Sequence, residues 1–302
     1  MTISSLTPAN QQFVNHLTQI TENLATDQLN ITSGVDMRSL SDRPEEVSSL
    51  LEARAQLSAA QQVSTNLGML TTEVNTGEST VSGAVQLFDQ VQTIAAEGAT
   101  GTQTATTRAG LATQLQSIEQ QMVGLANTQA NGRYIFAGDA DQTQPYRFDS
   151  TQTDPVSAYQ GGASTRVAMT AGGTTFPVAL TAQQIFDSTD PATNVFTAIN
   201  NLVTALNNND QSGVETAANG LSGAASYLNQ QLAFYGNAQG NLQAATTAAQ
   251  NQTTQLQTQI GNLQDTDMTA AITDMTQSQT QEQAALGAEA AIPRQTLFNY
   301  LA

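Results

Sequence analysis

The sequence contains no cysteine, no tryptophan and no lysine, and it has a single histidine. Without cysteine there is no disulfide, no thiolate nucleophile and no cysteine-ligated zinc, so stability outside a cell has to come from packing or from assembly. Without lysine, eight arginines stand against 25 carboxylates and leave a formal net charge of −17. Nucleic-acid binding is disfavoured, since a polyanion needs a basic footprint, and an anionic membrane surface is disfavoured for the same reason. No run approaches the roughly 20 consecutive apolar residues of a spanning helix. The opening MTISSLTPANQQ lacks the basic and apolar regions of a cleaved secretory signal. It fits a cytosolic chain, or one exported by a route that cleaves nothing.

Aromatic residues make up 5% of the chain and apolar residues 39%, below the usual proportion of about 45 to 50%. The core is therefore thin. Ala, Thr, Gln, Asn and Leu dominate instead, which suits long slender helices meeting along narrow seams. At 302 residues the length allows two or three units.

A heptad template fits the first segment, with Ile3, Leu6, Asn10, Phe13, Leu17, Ile20, Leu24, Asp27 and Ile31 at alternating spacings of three and four. Thr7-Pro8 marks its start and Ser33-Gly34 its end. GVDMRSLSDRP reads as an irregular connector, after which Glu45 and Glu46 enter the first turn of a second helix running towards Glu97. The seam of that helix is Val63, Leu67, Leu70, Val74, Gly77, Val81, Ala84, Phe88, Val91 and Ala95. GATGTQT breaks it, and Leu111, Leu115, Ile118, Met122 and Leu125 mark a third helix returning alongside. From Asn131-Gly132 the period changes to short strands and glycine turns up to about residue 180. Helical spacing resumes at Val195, Ile199, Leu202 and Leu206 and continues through Leu221, Ala225, Leu228, Leu232, Tyr235, Leu242, Ala249, Leu256, Ile260 and Leu263. A cap-like cluster at Gln264 to Asp267 precedes a last helix carrying Met268, Ile272, Met275 and Leu286.

The order is a palindrome, which is simplest if the chain leaves from one end, turns in the β insert and returns so that its termini pair. The expected fold is mainly α: a long antiparallel helical rod or coiled coil from both chain ends, with a small β-rich insert domain. Its expected parts are a terminal coiled coil (1–40 with 265–302), a helical rod (41–132 with 185–264) and a β-rich outer domain (133–184).

The N-terminal helix has no Lys or Arg before Arg38, so interhelical ion pairs are unavailable and its seam rests on apolar burial. The tail LFNYLA puts large apolar groups where chains normally fray. Both ends are expected to order as they bury surface against neighbouring subunits. The residues expected in that assembly interface are Leu6, Phe13, Leu17, Ile20, Leu24, Ile31, Met268, Ile272, Met275, Leu286, Leu297, Phe298, Tyr300 and Leu301. A self-contained bundle with ordinary core seams is the competing reading of the same spacing.

No catalytic, cofactor or metal site is expected. His16 has no second histidine or cysteine to complete a metal site and reads as a solvent-facing helix residue. A serine nucleophile would need that same histidine as its base. Asp139-Ala-Asp141 opens like a calcium loop, but Gln144 and Ser150 replace the expected Gly and Glu.

The segment LANTQANGRYIFAG, residues 125–138, closely resembles a hallmark of the flagellin and hook-associated protein family, carried by Asn127, Thr128, Gly132, Arg133, Tyr134, Ile135, Phe136 and Gly138. The connector, YQGG at Tyr159–Gly162, QIF at Gln184–Phe186 and the ending QTLFNYL are similar to that family as well. The resemblance implies a structural, non-enzymatic subunit in a tubular array, without cofactors, joining hook to filament; a short flagellin is the alternative. The implied partners are copies of itself, a neighbouring hook-associated protein, flagellin and a cytoplasmic export chaperone, with no nucleic acid and no membrane. The implied location is the extracellular flagellum, reached through the flagellar export channel with an uncleaved N-terminus.

Overall fold

Proline cannot donate to a helix and clashes within one, and the prolines punctuate the chain accordingly. Pro8 and Pro44 open helices, while Pro145, Pro155, Pro177 and Pro191 fall between them. The computed structural model describes residues 8–39 and 42–291. Among these, seven helices form: α1 (Pro8–Ser33), α2 (Pro44–Gly98), α3 (Ala105–Ala126), α4 (Ala182–Phe186), α5 (Val195–Asn207), α6 (Gln211–Gln264) and α7 (Met268–Ala291). Two antiparallel ribbons complete the secondary structure of the described residues. One pairs β1 (Gln129–Ala130) with β2 (Arg133–Tyr134), and the other pairs β3 (Val167–Met169) with β4 (Thr175–Pro177). This is the mainly α class with a small β insert.

The chain divides into two units, Met1–Ser58 with Thr253–Ala302, and Ala59–Gln252. In the terminal unit α1 packs on α7, running antiparallel: Asp27 meets Ser278 and Val35 bridges Asp265. The α1 seam predicted from the heptads is the face that turns inward, since Phe13, Leu17, Ile20, Leu24, Asp27 and Ile31 are half-buried while the residues between them are exposed, except for buried Asn30. The connector is ordered by hydrogen bonds. Gly34, at φ +70°, ends α1 with its N–H on the Asn30 carbonyl, and its own carbonyl accepts from Thr266 N. Asp36 N donates to the Gln264 carbonyl, Arg43 pairs with Asp36 and Glu46, and Asp42 accepts the N–H groups of Arg38 and Ser39. Asp267 caps α7 by accepting from Thr269 N and Ala270 N.

In the larger unit the two long helices each bury a line of residues seven apart. On α2 it runs through Ala60, Leu67, Val74, Val81, Phe88 and Ala95, and on α6 through Val214, Leu221, Leu228, Tyr235, Leu242 and Ala249. An apolar line held at strict heptad spacing keeps one face of a long helix turned to its partners. The companion position on α6 is Ala224, fully buried, with Ala225 only half-buried; the register expected from the sequence is off by one residue there. α3 packs against α5. Side-chain caps start the shorter helices: Thr104 accepts from Thr107 N, Thr181 forms a capping box with Gln184, and Asn194 accepts from Thr197 N.

The change of period comes earlier than expected: α3 ends at Ala126, and β1 begins at Gln129 instead of near residue 133. The strands span only two or three residues, so most of the insert is loop pinned by isolated bonds and by buried Phe136, Tyr146, Ala168, Val178 and Phe186.

Candidate functional site

Two places bear on function: the outer faces of the terminal unit and the segment from Asn127 to Gly138. On α7 the face turned inward consists of Ala271, Met275, Ser278, Glu282 and Ala285, a 4-3-4-3 series that is buried or half-buried. Met268, Ile272 and Leu286 are not in it. They stand exposed at 43, 48 and 50% on a stripe rotated by a fraction of a turn. On α7 the pairing with α1 is thus made through small and polar side chains and Met275, while three of the four apolar residues predicted there stay exposed among the described residues. Val14, Leu29 and Leu51 are exposed in the same unit, as is His16. Even the α1 seam is only half covered: Phe13, Leu17, Ile20, Leu24 and Ile31 retain accessible surface. The seam also contains a polar pair, Ser278 hydroxyl to Asp27 Oδ2 at 3.4 Å. Leu6, Leu297, Phe298, Tyr300 and Leu301, predicted in the same interface, lie outside the described residues.

The second place is built from local geometry. Asn131 and Gly132 both adopt positive φ, +53° and +76°, between paired Ala130 and Arg133, which is the two-residue Asn-Gly hairpin turn. Asn127 caps the preceding helix and reads the backbone of Tyr146 twice, Nδ2 donating to its carbonyl at 2.9 Å and Oδ1 accepting from its N–H at 3.0 Å. Thr128 closes the helix end with its hydroxyl on the Leu125 carbonyl at 2.7 Å. Ile135, Phe136 and Ala137 then plunge inward together. Phe136 packs edge-on against Tyr235, its carbonyl accepts from Ala182 N, and Tyr159 OH lies 3.0 Å from that same carbonyl. At Gly138, with φ +63°, an added Cβ would run into the Gly162 backbone, so the two glycine-containing motifs are glycine-rich because they touch. Arg133 and Arg166 share Asp141, at 3.6 and 3.5 Å, and Arg166 also pairs with Glu73 of α2. The motif is therefore a structural clasp between the insert and the long helices. Asp141, which opens the calcium-like stretch with Asp139, is engaged by two guanidinium groups.

Several polar features are not legible in the sequence. Arg108 is buried without a carboxylate, spending its guanidinium on the carbonyls of Gly98 and Thr100 and on Asn209 Oδ1. Glu119 is buried with neither carboxylate oxygen hydrogen-bonded, and burial, reinforced by the field of Asp154, pushes its carboxyl up to about 7. Burial likewise raises Tyr235, and raises Tyr159 to about 12. A heptad pattern marks which face is inside but not which polar residue is carried in with it. Among the described residues no group of three or more His, Cys, Asp or Glu could hold a metal ion, and no helix is long and apolar enough to cross a membrane.

This architecture has relatives. The family model for the bacterial flagellin N-terminal helical region matches residues 3–141, and that for the C-terminal helical region matches residues 212–301. The chain belongs to the flagellin family. Within that family, two curated relatives are similar over 119 residues: the flagellar hook-associated protein 3 of Escherichia coli strain K12 at 32% identity, and that of Salmonella typhimurium at 34%. Each match takes in 39% of this chain and 36% of the relative, so the chain spans little more than a third of the length of those relatives. Two solved structures share the fold. One is a Vibrio parahaemolyticus protein assigned to the hook-associated group, with a TM-score of 0.65 and 23% identity over 74% of this chain and 100% of that one. The other is Bacillus cereus FlgL, with a TM-score of 0.54 and 18% identity over 70% and 99%.

Proposed function

We propose that this chain is an adaptor joining the flagellar hook, through a neighbouring hook-associated protein, to the flagellin filament. The observation that carries the reading is the apolar stripe of Met268, Ile272 and Leu286, exposed among the described residues beside a half-covered α1 seam, in a chain that both flagellin regions match and that is similar to hook-associated protein 3. Apolar side chains left in water gain about 1.5 to 3 kcal/mol each when fully covered, and neighbouring subunits are the cover that a tubular array offers. In this reading the terminal coiled coil (1–40 with 265–302) makes the inner contacts, the rod (41–132 with 185–264) spaces them, and the insert (133–184) faces outward. The chain is exported uncleaved to the extracellular flagellum, escorted by a cytoplasmic chaperone.

The two flagellin-region matches also favour a second reading, a short flagellin forming the filament itself. A deletion strain separates them. Loss of the adaptor leaves a hook that sheds flagellin into the medium, with this chain labelling a short zone between hook and filament in electron micrographs of the parent. If this chain proves to be the main band of sheared filaments, the flagellin reading replaces the adaptor.

A further inference from the structure

The insert leaves one strand edge open. In the ribbon of β3 and β4, Val178 N donates to the Arg166 carbonyl and Thr170 N to the Thr174 carbonyl, so the hydrogen-bonded pairs are 166 with 178, 168 with 176 and 170 with 174. Val167 and Met169, between them, turn their N–H and carbonyl groups away from β4, and among the described residues those groups meet no partner. On β4 the outward positions are Thr175 and Pro177, and Pro177 has no N–H to offer. β4 is therefore the blunted edge and β3 the open one.

The two faces of the ribbon differ as well. Ala168 is fully buried and Phe176 half-buried, so that side rests on the core. The other side shows Val167 at 57% and Met169 at 53% exposure, beside exposed Thr175 and Pro177. Proteins usually guard such an edge with charge, proline or a bulge, yet from Val167 to Pro177 there is no charged residue. Arg166, just before this stretch, is held by Glu73 and Asp141.

We propose that β3 is a docking edge for β3 of a second copy of this chain, the two strands running antiparallel about Ala168. Self-complementarity selects this occupant. A two-fold at Ala168 sets Val167 of each copy opposite Met169 of the other, and both pairs exchange backbone hydrogen bonds through their outward N–H and carbonyl groups. Each exposed valine then lies beside an exposed methionine. Charge selects it too, since copies of net charge −17 repel, and this edge is a neutral surface on which they can meet. Arg166 falls opposite Thr170 of the other copy, so no like charges face each other. Pro177 then stops growth at β4, and the product is a pair and not a fibre. A two-fold contact differs from the head-to-tail contacts of a tubular array, so the pairing does not rest on the adaptor reading.

Strands this short make a contact below the about 1,200 Å² buried in stable interfaces, so the pair is weak and is read by covalent trapping. The chain has no cysteine, and introduced thiols are its only ones. Opposed residues of a hydrogen-bonded antiparallel pair have Cα atoms about 5.5 Å apart, inside the range of about 4.4 to 6.8 Å that a disulfide spans. Diagonal neighbours, at about 7 to 8 Å, fall outside it. Full-length Val167→Cys and Met169→Cys chains, each changed at an exposed position, are mixed under mild oxidation and the products resolved by intact mass. The mixed dimer is expected to form about tenfold faster than either like dimer. Adding Val167→Pro to the Met169→Cys chain removes an outward donor without touching a β3–β4 hydrogen bond, and should slow the mixed dimer by a similar factor against Val167→Cys chains. Mixed and like dimers forming at equal rates, or a mixed dimer that forms no faster than with the proline variant, overturns the pairing. The latter is also the outcome if the edge receives an extended segment of a different protein.

Discussion

Tyr235 occupies the heptad line of α6 where the facing residue on α2 is Gly77, and an added Cβ at residue 77 would stand 2.6 Å from a ring carbon. The ring cannot retreat. It is 2% exposed, meets Phe136 and Phe234 edge-on, and its hydroxyl accepts from Leu180 N. Gly77→Ala is therefore expected to destabilise the protein by about 1 to 3 kcal/mol through overpacking. Gly68→Ala, on the same helix with open space around it, should instead stabilise by about 0.5 to 1 kcal/mol through helix propensity. Paired urea melts check both, and equal effects would show that the Tyr235 contact is not what decides. Glu119 gives a second residue-scale expectation. Its carboxyl is raised from 4.5 to about 7 by folding, so the stability linked to its neutral form is fully present below pH 4.5 and is lost as pH climbs through 7. Glu119→Gln should match the parent near pH 4 and exceed it at pH 8.5, by up to about 3 kcal/mol. A difference that does not grow with pH would contradict the burial argument.

At the level of elements, Arg108 shows how one polar anchor holds two turns between helices. It fastens the α2–α3 turn through Gly98 and Thr100 and reaches Asn209, itself at φ +51°, between α5 and α6. Arg108→Ala strands three acceptors and should cost at least about 2 kcal/mol; Arg108→Lys should recover only part of it, since an ammonium lacks the guanidinium fork. Thermal unfolding of the two variants reads the difference. Helix positions were legible because the heptads of α1, α2 and α6 contrast Leu, Val and Phe with Gln, Thr and Asn. The phase of α7 was not, because alanine and threonine surround Met268, Ile272 and Leu286 and give little contrast. The face that pairs with α1 is set by small residues that allow close approach, Ala271, Ser278 and Ala285. The insert was legible as a change of period to short strands and glycine turns. The bounds of its strands were not, since Ile135, Phe136 and Ala137 are buried consecutively instead of alternately. Buried Glu119 and Arg108 lay beyond reach because each sits at a position that the pattern alone would fill with a surface residue.

Across the whole molecule, charge governs how copies meet. A net −17 with no lysine means that copies approach one another against mutual repulsion. In the proposed assembly the attraction comes from apolar contacts such as the α7 stripe, which salt does not weaken. Raising ionic strength from about 0.01 to 0.15 M shortens the screening length from about 30 to about 8 Å, removing the repulsion and leaving the attraction. Self-association should therefore strengthen over that range, as sedimentation velocity at fixed protein concentration would read. Substituting Ile272 and Leu286 by Ser, exposed positions whose change leaves the α1–α7 seam intact, should weaken association at every salt concentration without shifting the melting curve of the single chain. Association that falls steadily with added salt would mean that ion pairs, and not the exposed stripe, hold the array together.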